Sequence, residues 1–129
     1  EERAMDELKL FTPKEANQTL PLVKRIVADI LSTGDRIRAL SVEIGKNAES
    51  DPQIITWMDQ LEELFEELEL LGCSYKDWNF TVGLVDFPSV IDGQQVFLCW
   101  RSDEERLKYY HEIDAGFTGR KLIPKEELS

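Results

Sequence analysis

This chain is poor in histidine and cysteine, and its basic residues are outnumbered by acidic ones. Its 129 residues include one histidine, His111, and two cysteines, Cys73 and Cys99. A lone imidazole excludes two-histidine zinc grammars: His111-Glu112 begins like HExxH, but position 115 is alanine and no second histidine exists. Cys73 and Cys99 form neither a CxxC pair nor a disulfide framework, a usage that suits a reducing compartment and predicts a cytoplasmic protein. Basic residues number 15 against 26 acidic ones, and the net charge of −11 repels phosphate backbones, so no nucleic-acid partner is expected. Apolar runs are short. None approaches the roughly 18–20 residues of a membrane span, and the acidic start lacks the basic-then-apolar pattern of a signal peptide. No membrane partner is expected.

Enough apolar residues remain, 42% of the chain, to build one core, and residues 1–129 are expected to form a single domain. Thr12-Pro13-Lys14-Glu15 is a helix start, with Thr12 as N-cap, Pro13 in the first turn and Glu15 closing a capping box. Leu20, Val23, Val27, Ile30, Gly34, Ile37, Ser41 and Ile44 then recur in steps of three and four, a heptad seam. Pro21 should kink or restart this helix, because it lacks a donor and clashes with the turn before it. A second seam of Ile54, Trp57, Leu61, Leu64, Leu68 and Leu71 stops at Gly72. The first helix carries a net charge of +2 and the second −6, which favours an antiparallel hairpin over 13–71. The acidic face serves equally as a solvated surface or as a site for a basic protein partner. At 1.5 Å per residue the helices should differ in length by roughly 20 Å. A second copy of the long helix is the simplest cover for the excess, so a homodimer is expected.

Beyond Gly72 the period falls to two. Leu84 to Ile91, a turn at Asp92-Gly93, and Gln94 to Arg101 read as a hairpin with a type I′ turn. Pro88 points to a sheet edge. A turn at Asp103-Glu104 and a strand over 106–113 complete a three-stranded antiparallel β-meander within 80–123. The fold class is therefore α+β, a long antiparallel helical hairpin packed against that meander. Two-residue turns at both ends pair Val85 with Trp100, Phe87 with Leu98, Leu98 with Tyr109 and Val96 with His111. That phase puts His111 and Ile113 on the helix-facing side with Trp100, and Asp86, Phe97 and Cys99 on the other. Cys99 and Asp86 are then both out of reach of the imidazole, unless a bulge shifts the phase. Trp57, Trp78 and Trp100 read as core or interface aromatics.

Two places could still carry chemistry. His111 with Glu112 and Glu104 could supply an acid, a base or carboxylate ligands, and His111, Glu112 and Asp114 could hold a hard metal ion; the plainer reading is a core histidine tied to a carboxylate or carbonyl. The loop Asp114-Ala115-Gly116-Phe117-Thr118-Gly119-Arg120 could cradle a small anionic ligand, with Gly116 and Gly119 freeing backbone N–H groups and Arg120 as a guanidinium clamp. Its plainer reading has Phe117 plugging the core and Arg120 paired with Glu112 or Asp114.

These residues carry a resemblance. Phe11-Thr12-Pro13-Lys14-Glu15-Ala16-Asn17, Val85-Asp86-Phe87-Pro88, Leu98-Cys99-Trp100 and His111-Glu112-x-Asp114-x-Gly116-Phe117-x-Gly119-Arg120 are similar to a bacterial conserved family of unknown function, over most of the chain. This sequence has Asp103 where members often show glycine, and Tyr110 where tryptophan often precedes the histidine. The resemblance implies a prokaryotic intracellular protein and supplies no activity or cofactor. It marks Asp86, Cys99, Trp100, Glu104, His111, Glu112 and Arg120 as shared positions. The expected function is a homodimeric, non-catalytic binding module; the alternative is a metal- or anion-dependent enzyme of small molecules built on His111, carboxylates and Arg120.

Overall fold

The computed structural model describes residues 9–77 and 79–128, so Trp78 and residues 1–8 lie outside it. Helix α1 spans Pro13–Ile44, and its start is the capping box read from sequence: Thr12 accepts from the Glu15 N–H while Glu15 accepts from the Thr12 N–H. Pro21 neither ends nor restarts it. A proline inside a helix costs about 3 kcal/mol, and the buried residues on both sides of it, Ala16, Leu20, Val23 and Val27, offset that cost by packing. A 3₁₀ turn (Ala48–Ser50) leads to α2 (Pro52–Leu71), where the Asp51 carboxylate accepts from the Gln53 and Ile54 N–H groups. Gly72, in the left-handed conformation, closes α2.

Among the described residues the sheet has five strands in sequential antiparallel order: β1 (Ser74–Tyr75), β2 (Leu84–Ile91), β3 (Gln94–Arg101), β4 (Tyr109–Glu112) and β5 (Lys121–Leu122). A short helix, α3 (Lys125–Leu128), ends the described chain. The expected three-strand meander is thus the centre of a wider sheet. Its first hairpin has the predicted register, with Ile91 opposite Gln94 and Val85 opposite Trp100. Asp92 and Gly93 both take positive φ, as a type I′ turn requires. Pro88 lies past the end of the β1 pairing, where the Phe11 N–H donates to its carbonyl. The core lies between sheet and helices, with Val85, Phe87, Leu98 and Trp100 facing Val23, Val27 and Ile30. Gly83 admits the closest approach: a Cβ there would meet Val27 Cγ1 at 2.3 Å. Among the described residues no helix is long and apolar enough to cross a membrane.

Two sequence expectations change. All the buried residues of α1 lie at or before Gly34, and beyond it Ile37 is only partly buried against the core. The extra helix length is therefore covered by the sheet, and the length argument for a second copy falls. The other change concerns β4. Val96 pairs with Glu112, Phe97 with His111 and Cys99 with Tyr109, one residue out of the expected phase. A one-residue slip moves every side chain of a strand to the other face.

The physical cause is the connection over 102–108, which is a wide loop tied to α1 rather than a two-residue turn. Asn17 grips it: its side chain donates to the Leu107 carbonyl at 3.1 Å and accepts from the Leu107 N–H at 2.9 Å. Leu107 is fully buried. Lys24 Nζ donates to the Glu105 carbonyl at 2.6 Å. Inside the loop, the Trp100 indole N–H reaches the Glu104 carbonyl, and the Glu104 carboxylate accepts from the Arg101 N–H. Asn17→Ala removes both bonds to a part-buried peptide and should destabilise the protein by about 2 kcal/mol. A shift in urea midpoint worth less than about 0.5 kcal/mol would show that Asn17 does not anchor the loop.

Candidate metal centre

The observed phase brings His111 to Asp86 and Cys99, the two side chains from which the sequence reading had separated it. Asp86 on β2 stands directly across from Cys99 on β3. His111 on β4 stands across from Phe97, two residues from Cys99 along the same face. This is the face turned away from the helices. All three residues are nonetheless buried, at 5%, 2% and 4% exposure, and the cover includes Gly116 and Phe117 of the terminal loop. A carboxylate oxygen, the thiol sulfur and an imidazole nitrogen lie within 4.8 Å of one another.

The imidazole is held in one orientation. Its Nδ1 is 2.8 Å from the Glu112 carbonyl, which can only accept, so Nδ1 carries a hydrogen. Nε2 points at Asp86, 3.2 Å from each carboxylate oxygen. A bare lone pair facing two such oxygens is repulsive, so either a hydrogen shared between nitrogen and carboxylate or a metal ion belongs between them. The Cys99 sulfur lies within 4.8 Å of this carboxylate. Burial pushes the Asp86 carboxyl above the ordinary carboxylate range, with His111 and Lys76 opposing. Burial, reinforced by the charge of Asp86, pushes the Cys99 thiol up to about 12.

Contact order decides what this group can do. A thiol nucleophile needs the imidazole against sulfur and the carboxylate behind the ring. Here the imidazole Nε2 faces the carboxylate rather than the sulfur, and burial holds the thiol far from its reactive form. Three different donors converging on one point, with the ring oriented by a backbone carbonyl, are instead what a metal site requires. Tetrahedral bonds of about 2.0–2.3 Å put ligand atoms roughly 3.3–3.8 Å apart; here Nε2 is 3.2 Å from each carboxylate oxygen, and all three donors lie within 4.8 Å of one another. Above the group opens a pocket of about 290 Å³, walled by Leu84, Phe97, Ile113, Gly116 and Phe117, with Lys76 among its lining residues. A larger groove between α1 and α2, about 460 Å³, holds Asp29, Arg36, Glu63 and Glu67 and none of these ligands.

The other sequence candidates are placed elsewhere. Glu112 turns to the opposite face from His111 and reaches Lys121 at 3.5 Å, while Asp114 is exposed. Among the described residues the group of metal-ligating atoms is therefore Asp86, Cys99 and His111, without Glu112 or Asp114. Glu104 accepts Arg120 Nη2 on both oxygens at 2.7 Å, and the same nitrogen donates to the Cys99 carbonyl at 3.2 Å. The Arg120 guanidinium also stacks 4.0 Å from Tyr109 and 4.8 Å from Phe117. Arg120 thus pairs with Glu104, where the sequence reading had Glu112 or Asp114 as its partner. Phe117 is 38% exposed and covers the pocket instead of plugging the core. Gly116 lines the pocket; Gly119 closes the 3₁₀ turn behind it. Trp100 is buried on the helix side, and Cys73 donates to the Leu68 carbonyl in the core. The missed signal was present in the sequence: Asp86 and Cys99 share a face in the first hairpin, and one residue of phase adds the only histidine.

Neither the search of curated proteins nor that of solved structures returned a match. The family model described as an uncharacterized conserved protein, DUF2203, matches residues 9–123, a span that holds all five strands and every residue of the cluster, and the chain belongs to this family.

Proposed function

We propose that this protein binds one divalent transition-metal ion through Asp86, Cys99 and His111, leaving a coordination position open to the pocket above them. The observation that carries this reading is the posture of His111, whose Nδ1–H is fixed on a backbone carbonyl while Nε2 faces both Asp86 oxygens beside the Cys99 thiol. A borderline-soft ion such as zinc suits mixed sulfur, nitrogen and oxygen donors. Three protein ligands with one free position are the pattern of sites that act on a ligand, whereas purely structural sites close all four. Such an ion supplies Lewis acidity to whatever occupies the free position. The chain's own residues orient the donors and, through Phe97 and Phe117, limit the access of water.

Titration of the metal-free protein with cobalt(II) should develop thiolate-to-metal charge-transfer absorption and saturate at one equivalent. Cys99→Ser should abolish that absorption, and His111→Ala should weaken binding by a factor of at least about 100. A folded wild-type protein that takes up no cobalt or zinc would remove this reading.

Self-association is a second reading, supported by the far end of the hairpin. There Val42 is 81% exposed and Met58 50%. A second copy would cover these side chains, with Arg36 and Lys46 of one hairpin facing the glutamates of the other α2. Sedimentation equilibrium at micromolar concentration should then give twice the 14.9 kDa chain mass, and Val42→Asp should restore the monomer. A monomeric wild type would end it.

A further inference from the structure

We infer that the pocket above the cluster receives a small monoanionic ligand with an apolar body, a carboxylate carrying a short hydrocarbon or aryl group. This inference rests on the metal reading and names what the free position takes.

Charge is the first argument. A divalent ion is neutralised by the Asp86 carboxylate and the Cys99 thiolate, since a coordinated thiol is deprotonated outright. His111 contributes a neutral nitrogen. Among the described residues Lys76 is the only lysine or arginine lining the pocket, and it lies near enough to Asp86 to favour the charged carboxylate. Ion, ligands and Lys76 together carry one positive charge, which a single anionic group balances and a dianion overshoots. The neighbouring guanidiniums do not alter the count: Arg101 pairs with Asp103 at 2.6 Å, and Arg120 with Glu104.

The walls supply the second argument. Leu84, Phe97, Ile113 and Phe117 present hydrocarbon around the floor of ligands. The Phe97 ring centroid lies 5.7 Å from that of His111, tilted at 43°. Ile113 and Phe117 are 48% and 38% exposed, and an apolar ligand would bury the surface that both leave open. The volume, about 290 Å³, stands at the small end of ligand sites. A pocket with one anion-binding point and hydrocarbon on its sides selects for a head group and a tail together.

The test uses the cobalt(II)-loaded protein and four probes: benzoate, acetate, inorganic phosphate and neutral benzamide. Benzoate should perturb the visible cobalt spectrum and bind at least about tenfold more tightly than acetate, with phosphate and benzamide weaker still. Lys76→Met, an exposed position outside the ligand set, should weaken benzoate about tenfold when compared with wild-type protein at equal cobalt occupancy. Equal affinities for benzoate and acetate would overturn the role of the walls. Phosphate binding more tightly than benzoate, or no effect of Lys76→Met, would overturn the charge argument. A cobalt spectrum that none of the probes alters would overturn this inference and leave the metal site standing. Failure to bind cobalt at all would overturn both.

Discussion

Arg120→Ala should destabilise the protein by about 3 kcal/mol, the largest effect expected of any substitution outside the apolar core. The Arg120 and Glu104 side chains are 11% and 17% exposed, so the pair is mostly, but not wholly, withdrawn from water. Removing one partner of a buried ion pair costs about 3–5 kcal/mol, because the other charge is left without compensation; residual exposure places this pair at the lower end. Alanine also removes the stack on Tyr109 and Phe117 and the bond to the Cys99 carbonyl. Arg120→Lys should recover only part of the loss, since an ammonium cannot reproduce a guanidinium stacked between two rings. Urea unfolding with an unchanged m-value reads the effect. A loss below about 1 kcal/mol would mean that the pair is a surface ornament. Arg120 joins the loop over the pocket to the strand that bears Cys99, so the same variant should also lower metal affinity.

Zinc, at a free concentration 100 times its dissociation constant, should stabilise the protein by about 2.7 kcal/mol and raise its melting temperature by on the order of 10 °C. The linkage is direct: the three donors converge only in the folded chain, so the ion binds the native state in preference to the unfolded one. Cys99→Ser separates this effect from folding. It exchanges sulfur for oxygen at a buried position on β3 and keeps a hydroxyl able to donate to Asp86, so the metal-free variant should melt within a few degrees of the wild type while the zinc-induced shift disappears. If the serine variant shows the same shift, the ion binds elsewhere. Unchanged melting of the wild type in zinc would contradict the proposed site outright.

Both predictions depend on contacts between residues far apart in the chain, and here sequence reading met its limit. The Thr12–Glu15 capping box, the Gly72 stop and the Asp92-Gly93 turn are each closed within a few residues, and all three are present as expected. The register of the first hairpin follows from such a turn, so Asp86 and Cys99 could be placed opposite each other. The two-residue strands β1 and β5 are too short to show a period and exist only through their neighbours. Arg120 had several acidic residues within reach on paper, and the folded loop selected Glu104.

Composition, helical period, caps and the tight turn were enough to specify an acidic α+β domain with a long helical hairpin over a meander, because each acts over a few residues of chain. The facing of His111 belongs to another class of fact. It depends on a seven-residue connection whose length in space is set by Asn17, ninety residues away, gripping the backbone of Leu107. Strand side chains alternate with a period of two, so that one distant clamp decides whether the imidazole enters the core or joins Asp86 and Cys99.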